Sequence, residues 1–304
     1  MAIQWFPGHM HKAIKEMTKA ISEIDLVIEL LDARLPYSSH NPAITTLRGG
    51  KPSIKVFSKS DLADPVLTRR WQAYFEEQDG VVTLATTMDT KDKARRVVQL
   101  CRQLVSADRV RAMITGIPNV GKSTLINAMV GRRIAHTGDE PAVTKGIQQI
   151  KVDAGILLFD TPGILWPKIH NEHSGYRLAI AGSVKDTATD ITDVAFYLCE
   201  FMMAHHPEAL AARFELPSLA ATEMEVFQQM GERRGCLRKG GAVDLEKIST
   251  ILVNEYRSGR LGPITLESPE MIPAEEAVVE EARLAKLAKD KLRKNKWRAP
   301  REED

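Results

Sequence analysis

Gly116-Ile-Pro-Asn-Val-Gly-Lys-Ser123 is the stretch on which the reading of this 304-residue chain turns. It fits G-x-x-x-x-G-K-[ST], the loop that wraps phosphates when a strand leads in and a helix leads out. Both are expected here: Arg111-Ala-Met-Ile-Thr115 reads as a short strand running straight into the loop, and a helix should run from Lys122 onward. The two glycines let the backbone close in until its amides face phosphate oxygens. Val120, Gly121 and Thr124 belong to that cradle. Lys122 would reach the β- and γ-phosphates, the Ser123 hydroxyl would ligate Mg²⁺, and the helix start adds its positive dipole end. The competing reading is a chance glycine turn.

About forty residues on, Asp160-Thr-Pro-Gly163 ends an apolar strand. An Asp there can hold Mg²⁺ through water, and Gly163 would offer its amide to a γ-phosphate. Between the two motifs lies Pro141-Ala-Val-Thr144-Lys-Gly, where Thr144 would close over the metal and the phosphate; an ordinary loop threonine is the alternative. Strand and helix patterns alternate through residues 1–190 and predict an α/β domain, a mostly parallel sheet flanked by helices. Helices are expected at His9–Ile21, from about Pro65, and through Val97 to Leu104. Strands are expected at Asp25–Leu31, Ser53–Phe57, Val81–Ala85, Ile147–Val152 and Ile156–Phe159, the last two paired through Asp153-Ala-Gly155. Residues 191–273 read as a smaller helical domain, with helices at Val194–Met203, Thr222–Arg233 and Leu245–Arg257. Residues 274–304 read as a charged helix or disordered tail with a thin stripe, Leu284, Ala288 and Leu292, available for burial.

The base must be decided elsewhere. No Asn-Lys-x-Asp follows Gly163, yet upstream the strand Ile54-Lys-Val-Phe57 ends in Ser58-Lys59-Ser60-Asp61. The Asp61 carboxylate can accept from guanine N1–H and N2–H₂, a donor pair adenine lacks. Lys59 can lay its stem across the base. After Val81–Ala85 come Thr86-Thr87, where a backbone amide would meet guanine O6. Base reading thus precedes phosphate binding, the order a circular permutation would produce. Chain ends tolerate such relocation because site residues sit on loops at one sheet edge.

Together, Gln4-Trp-Phe-Pro-Gly-His-Met10, Asp32-Ala-Arg34, the permuted base motif, GIPNVGKS and DTPG resemble the bacterial ribosome biogenesis GTPase A family. The resemblance is strong over residues 1 to about 190, and Arg234-Gly-Cys-Leu with Gly240-Gly241 extends it. It implies a circularly permuted P-loop GTPase domain with a smaller C-terminal helical domain. The implied function is GTP hydrolysis during late maturation of the large (50S) ribosomal subunit, with GTP/GDP, rRNA and ribosomal proteins as partners. The chain would be a monomer off the ribosome. One departure stands out: the family usually has Asn where this chain has Ser58, which should weaken the tie between base pocket and phosphate loop.

Ile164 occupies the position after DxxG where many GTPases carry a glutamine that orients water, and an apolar side chain cannot do that. The resemblance suggests His9 as the group that approaches the nucleotide on the ribosome; the alternative is an imidazole that merely caps the first helix. Asn119 matches a pattern in potassium-dependent relatives, where it helps hold K⁺ near the phosphates; the alternative is an Asx turn within the loop. A different class of reading makes this chiefly an RNA-binding assembly factor with GTP as a structural ligand. A third reading is an ATP-dependent kinase or ATPase.

Composition narrows the class without naming it. The chain is 43% hydrophobic and 27% charged with net charge +2, ordinary for a globular protein, and it has no apolar run near the roughly 20 residues of a membrane span. Cys101, Cys199 and Cys236 are far apart and read as reduced core residues of a cytoplasmic protein. Arg233, Arg234, Arg238 and Lys239 cluster around glycines and can grip RNA phosphates or simply be solvated surface. Arg283 to Arg301 holds nine Lys or Arg against one acid, Asp290. It offers a polyanion contact, with Trp297 available to stack on a base. Asp32 and Arg34 either orient the base-side loops or form a strand-end ion pair.

Overall fold

The computed structural model describes residues 6–86, 91–134 and 146–298. Thr87, Thr144, Trp5 and Arg301, singled out above, lie outside these described residues, as does the Trp297 side chain. Six strands make one sheet: β1 (Leu26–Asp32), β2 (Ser53–Ser58), β3 (Val81–Ala85), β4 (Val110–Gly116), β5 (Gln148–Lys151) and β6 (Ile156–Asp160). Their order is β3-β2-β1-β4-β6-β5. All neighbouring pairs are parallel except β5 with β6, which pair antiparallel as expected, with the Gly155 amide donating to Asp153 Oδ1 (2.8 Å) in the turn. Every residue of β1 and β2 is buried, as strands covered on both faces require.

The winding places the site. From β1 the chain steps outward to β2 and β3, then returns to β4 on the other side of β1, goes out to the edge strand β5 and folds back as β6 beside β4. The direction reverses between β1 and β4, and in such sheets the ligand crevice opens there, beyond the C-terminal strand ends. Register fixes which residues meet at that edge: Leu30 lies opposite Gly116, Asp32 opposite Ser58, and Ile114 opposite Asp160.

Helices α1 (Gly8–Ala20), α2 (Pro36–Ser39), α3 (Pro42–Arg48), α4 (Pro65–Glu76), α5 (Lys91–Leu104) and α6 (Lys122–Val130) flank or connect these strands. Helix α4 shows why its boundary was readable. Asp64 accepts from the Val66 and Leu67 amides, Pro65 occupies the first turn, and Trp71 and Phe75 bury its inner face. Next come α7 (Glu172–Ile180), α8 (Ile191–His205), α9 (Pro207–Phe214), α10 (Glu223–Arg234) and α11 (Leu245–Arg257). Thr222 and Glu225 form a capping box on α10, and Phe196 of α8 stacks on Phe227 of α10 at 4.5 Å between centroids.

Helices α2, α3, α7 and α9 are absent from the sequence reading. They are short, and α7 contains Ser174-Gly175, weak helix formers. Burial of Arg177 between Glu267 (3.3 Å) and Glu275 (2.6 Å) supplies what local propensity does not. The segment after α11 returns to the sheet. The Leu266 amide donates to the Arg34 carbonyl (2.8 Å), and Trp71 Nε1 donates to that of Glu267 (3.1 Å). Ile272 then joins Leu31, Phe57, Trp71 and Phe75 in a small second core. It opens α12 (Ile272–Arg298), so the charged tail is helical, but Leu284 is exposed rather than buried, and so is Ala288. The three cysteines are buried and unpaired, and burial pushes the Cys101 and Cys199 thiols up to about 12.

Candidate nucleotide site

The phosphate loop forms where a buried strand ends and a helix begins. Gly121 has φ +95°, a conformation closed to most side chains, and it turns the chain into α6 at Lys122. The DTPG segment packs onto this loop. Thr161 N–H and Oγ1 both donate to the Ile114 carbonyl (3.2 and 2.9 Å), and the Ile164 amide donates to that of Gly116 (3.2 Å). A β-carbon on Gly163 would lie 3.0 Å from Pro118 Cα, so only glycine sits this close to the loop. Ile164 itself is fully buried. Val120 is buried, whereas Ser123 and Thr124 are partly exposed at the start of α6.

Lys122 and Asp160 are brought together as an ion pair, both buried. Burial pushes the Asp160 carboxyl above its ordinary range, and the Lys122 ammonium offsets only part of this. A second cation beside that carboxylate would complete the compensation. The hard oxygen donors of Asp160 and Ser123 suit Mg²⁺, which takes one or two protein ligands and completes its shell with phosphate and water.

Asn119 has φ +60°, and its side-chain amide donates to the Gly182 carbonyl just beyond α7 (2.8 Å). The Asn119 side chain therefore reaches sixty residues away from its loop, a contact with no local sequence signal.

The end of β2 and the loop after it, which carry Ser58, Lys59, Ser60 and Asp61, are held by charge and by distant backbone. Ser58 is buried and donates to the Leu31 carbonyl (3.0 Å). Lys59, at φ +55°, donates from Nζ to Asp32 Oδ2 (3.0 Å). Asp32 also receives both arms of the Arg34 fork (2.9 and 2.8 Å). Burial alone would raise the Asp32 carboxyl, but Arg34 and Lys59 together hold it well below the usual carboxylate range. Asp32 and Arg34 are thus a strand-end ion pair that also anchors Lys59; the two readings of them merge. Asp61 is exposed at the loop tip. The Ser60 amide donates to the Thr86 carbonyl (3.2 Å), and the Thr86 amide is committed to that of Phe57 (2.8 Å).

This loop is also braced from far along the chain. The Ile264 amide donates to the Leu62 carbonyl (3.1 Å), and the Asp64 amide donates to Thr265 Oγ1 (3.0 Å). These contacts, from residues some two hundred positions downstream, were invisible to motif reading.

Outside the sheet edge, His9 is exposed in the first turn of α1 and makes no capping hydrogen bond; Pro7 holds the N-cap position. Glu16 of the same helix lies against Gly146, where the described chain resumes after residue 134. In the helical half, Arg238-Lys-Gly-Gly241 forms a tight exposed turn closed by Arg238 N–H to the Ala242 carbonyl (2.8 Å). Arg233 is exposed nearby. Arg234 is turned inward instead: Nη2 donates to the Arg213 carbonyl (3.0 Å), and the guanidinium lies 5.1 Å from the Phe214 ring centroid. Its guanidinium is committed to the fold, whereas Arg233, Arg238 and Lys239 are exposed, Arg238 pairing with Asp244 (3.3 Å).

Comparison with known proteins gives this geometry its family. The family described as "50S ribosome-binding GTPase" matches residues 111–219. The ribosome biogenesis GTPase A of Bacillus cereus is 44% identical over 282 residues, covering 89% of this chain and 95% of that protein. The chain belongs to the ribosome biogenesis GTPase A family. The Thermotoga maritima ribosome biogenesis GTPase A is 32% identical, with 89% of this chain and 96% of that protein covered. Mitochondrial ribosome-associated GTPase 1 of Mus musculus is 30% identical, with 89% and 91% covered. Among solved structures, GDP-bound YlqF of T. maritima matches with a TM-score of 0.63 at 27% identity over 84% of this chain and 99% of that one. The GNP-bound form matches at 0.61 and 28% identity. As a ribosome biogenesis GTPase A homologue, the chain is a P-loop GTPase, and P-loop GTPases generally use Mg²⁺. Among the described residues, no helix is long and apolar enough to cross a membrane.

Proposed function

We propose that GTP lies across the β1–β4 switch point, phosphates on Gly116–Ser123 and guanine on Lys59 and Asp61, and that its hydrolysis times a step in large-subunit maturation. The observation carrying this reading is that the phosphate loop, DTPG and the base-reading loop all leave C-terminal strand ends on one edge. The backbone amides of Asn119, Val120, Gly121, Lys122, Ser123 and Thr124 surround the phosphates. Lys122 leaves Asp160 for the β- and γ-oxygens. Asp160, Ser123 and Thr144 hold Mg²⁺, which neutralises phosphate charge when bound. Gly163 offers its amide to the γ-phosphate. Ser58 and Ser60 shape the base loop, and the Thr86-Thr87 segment supplies a backbone amide to guanine O6.

Ile164 is buried, so it orients no water. His9, exposed on α1, reaches the nucleotide when the ribosomal particle docks, and Asn119 helps hold a K⁺ that stabilises charge developing on the phosphates. Residues 1–190 form the permuted GTPase unit and 191–273 the RNA-facing helical unit, with 274–304 as a basic extension. Arg233, Arg238 and Lys239 meet rRNA phosphates of the 50S precursor in the cytoplasm, and the chain is a monomer when free.

The GTPase rate with and without purified large subunits, in K⁺ and in Na⁺, tests this. The expected result is strong stimulation by subunits, greater in K⁺. Equal rates with and without subunits overturn the timing role, and equal rates in K⁺ and Na⁺ overturn the Asn119 assignment. The burial of Ile164 favours one second reading, in which GTP is mainly a structural ligand of an RNA-binding factor. A hydrolysis-dead, GTP-binding variant that still matures subunits would establish it.

A further inference from the structure

One residue of the helical half touches the supports of both nucleotide loops. Arg257 closes α11, and its Nε and Nη2 donate to the carbonyls of Ile180 and Ala179 (2.9 Å each) at the C-terminal end of α7. A cation is favoured there because the last carbonyls of a helix lack partners. Asp186 pairs with the same guanidinium at 2.8 Å and fixes it in place. Immediately beyond α7, Gly182 packs against this guanidinium, and the Gly182 carbonyl is the one that accepts the Asn119 amide.

On its other side, the main-chain carbonyl of Arg257 accepts from Arg34 Nη1 (3.4 Å). The neighbouring Tyr256 ring lies 5.2 Å from the Arg34 guanidinium. Arg34 forks onto Asp32, which holds Lys59. Just after Arg257, Gly259 abuts Leu62, next to Asp61, where an added β-carbon would meet Leu62 Cδ2 at 2.6 Å.

We propose that Arg257 is a positioning residue for the nucleotide. Through Gly182 it sets the Asn119 side of the phosphate loop, and through Arg34 it sets Lys59 and Asp61. Helix α11 has 13 residues, about 20 Å of rigid rod. Its opposite end is capped by Asp244, which pairs with Arg238 of the basic turn at 3.3 Å. One helix therefore runs from the exposed basic turn to the supports of both nucleotide loops. The inference rests on the reading of Asp61 as the guanine acceptor.

The test measures Kd of the full chain for GDP and for inosine diphosphate, which lacks the 2-amino donor that Asp61 reads. Wild type is compared with Arg257→Ala, Arg257→Lys and, as a control elsewhere in the helical half, Arg213→Ala. Arg257→Ala should weaken GDP about tenfold and inosine diphosphate less, so that the preference for GDP falls. Arg257→Lys keeps a cation but not the two-carbonyl grip, so it should sit between wild type and Ala. It also carries the test if the Ala variant does not fold. Arg213→Ala should leave the preference unchanged. GDP affinity within twofold of wild type in both Arg257 variants overturns the proposal. So does an equal loss for both nucleotides, which general destabilisation would produce. A wild-type chain that fails to distinguish the two nucleotides sinks the Asp61 assignment, and this inference with it.

Discussion

The phosphate loop is framed mainly by its immediate neighbours in the chain, with strand β4 before it, the left-handed Gly121 within it and helix α6 after it, and distant groups meet it at Gly116 and Asn119. The base-reading loop, residues 58–64, takes its shape from Arg34, Gly259, Ile264 and Thr265, none of them adjacent in sequence. Both loops leave the same sheet edge. The difference teaches that here one loop is framed mostly by local chain geometry while the other is held mostly by groups distant in sequence. The loop at residues 58–64 depends on the chain returning to it after α11.

The strongest way to break this contrast is to remove the brace. Arg34→Met strands the buried Asp32 carboxylate with Lys59 alone, and such a loss should cost about 3–5 kcal/mol of stability in urea titration. The pH dependence has a definite sign. Asp32 is held below its ordinary range, so its contribution is present above about pH 4 and fades as the pH falls further. The gap between wild type and Arg34→Met should therefore be widest near neutral pH and narrow on acidification; a gap that widens would refute the role given to Asp32.

Lys122→Ala attacks the locally framed half. Losing a charge-assisted phosphate contact of about 3 kcal/mol predicts roughly 100-fold weaker nucleotide binding by fluorescent-nucleotide titration. Retained affinity would return the loop to an ordinary glycine turn. Asp61→Asn should cost about tenfold in GDP affinity and flatten the preference for guanine over other bases. An unchanged preference would move base reading to another residue. The smallest effect belongs to Thr265→Val, which leaves the Asp64 amide without its hydroxyl partner. About 1 kcal/mol of stability and a few-fold loss in GDP affinity are expected, with phosphate-only ligands unaffected. Equal loss for inorganic pyrophosphate and GDP would show that the brace serves both loops alike.

What the sequence by itself determined was local. Glycine conformation, the Lys-Ser helix start and the order of the base and phosphate motifs are properties of residues a few positions apart, so the phosphate loop, the parallel α/β sheet and the permutation could be read without coordinates. The same locality made the boundaries of α4 and α11 readable. Only the tertiary structure decided the rest. It turned Arg234 inward, sent the Asn119 amide to Gly182, made α7 a helix around a buried Arg177, and brought residues 257–266 back against the base loop. These are pairings across roughly twenty to two hundred residues, selected by burial and by the need to partner every buried charge and amide, and no local pattern encodes which distant group will serve.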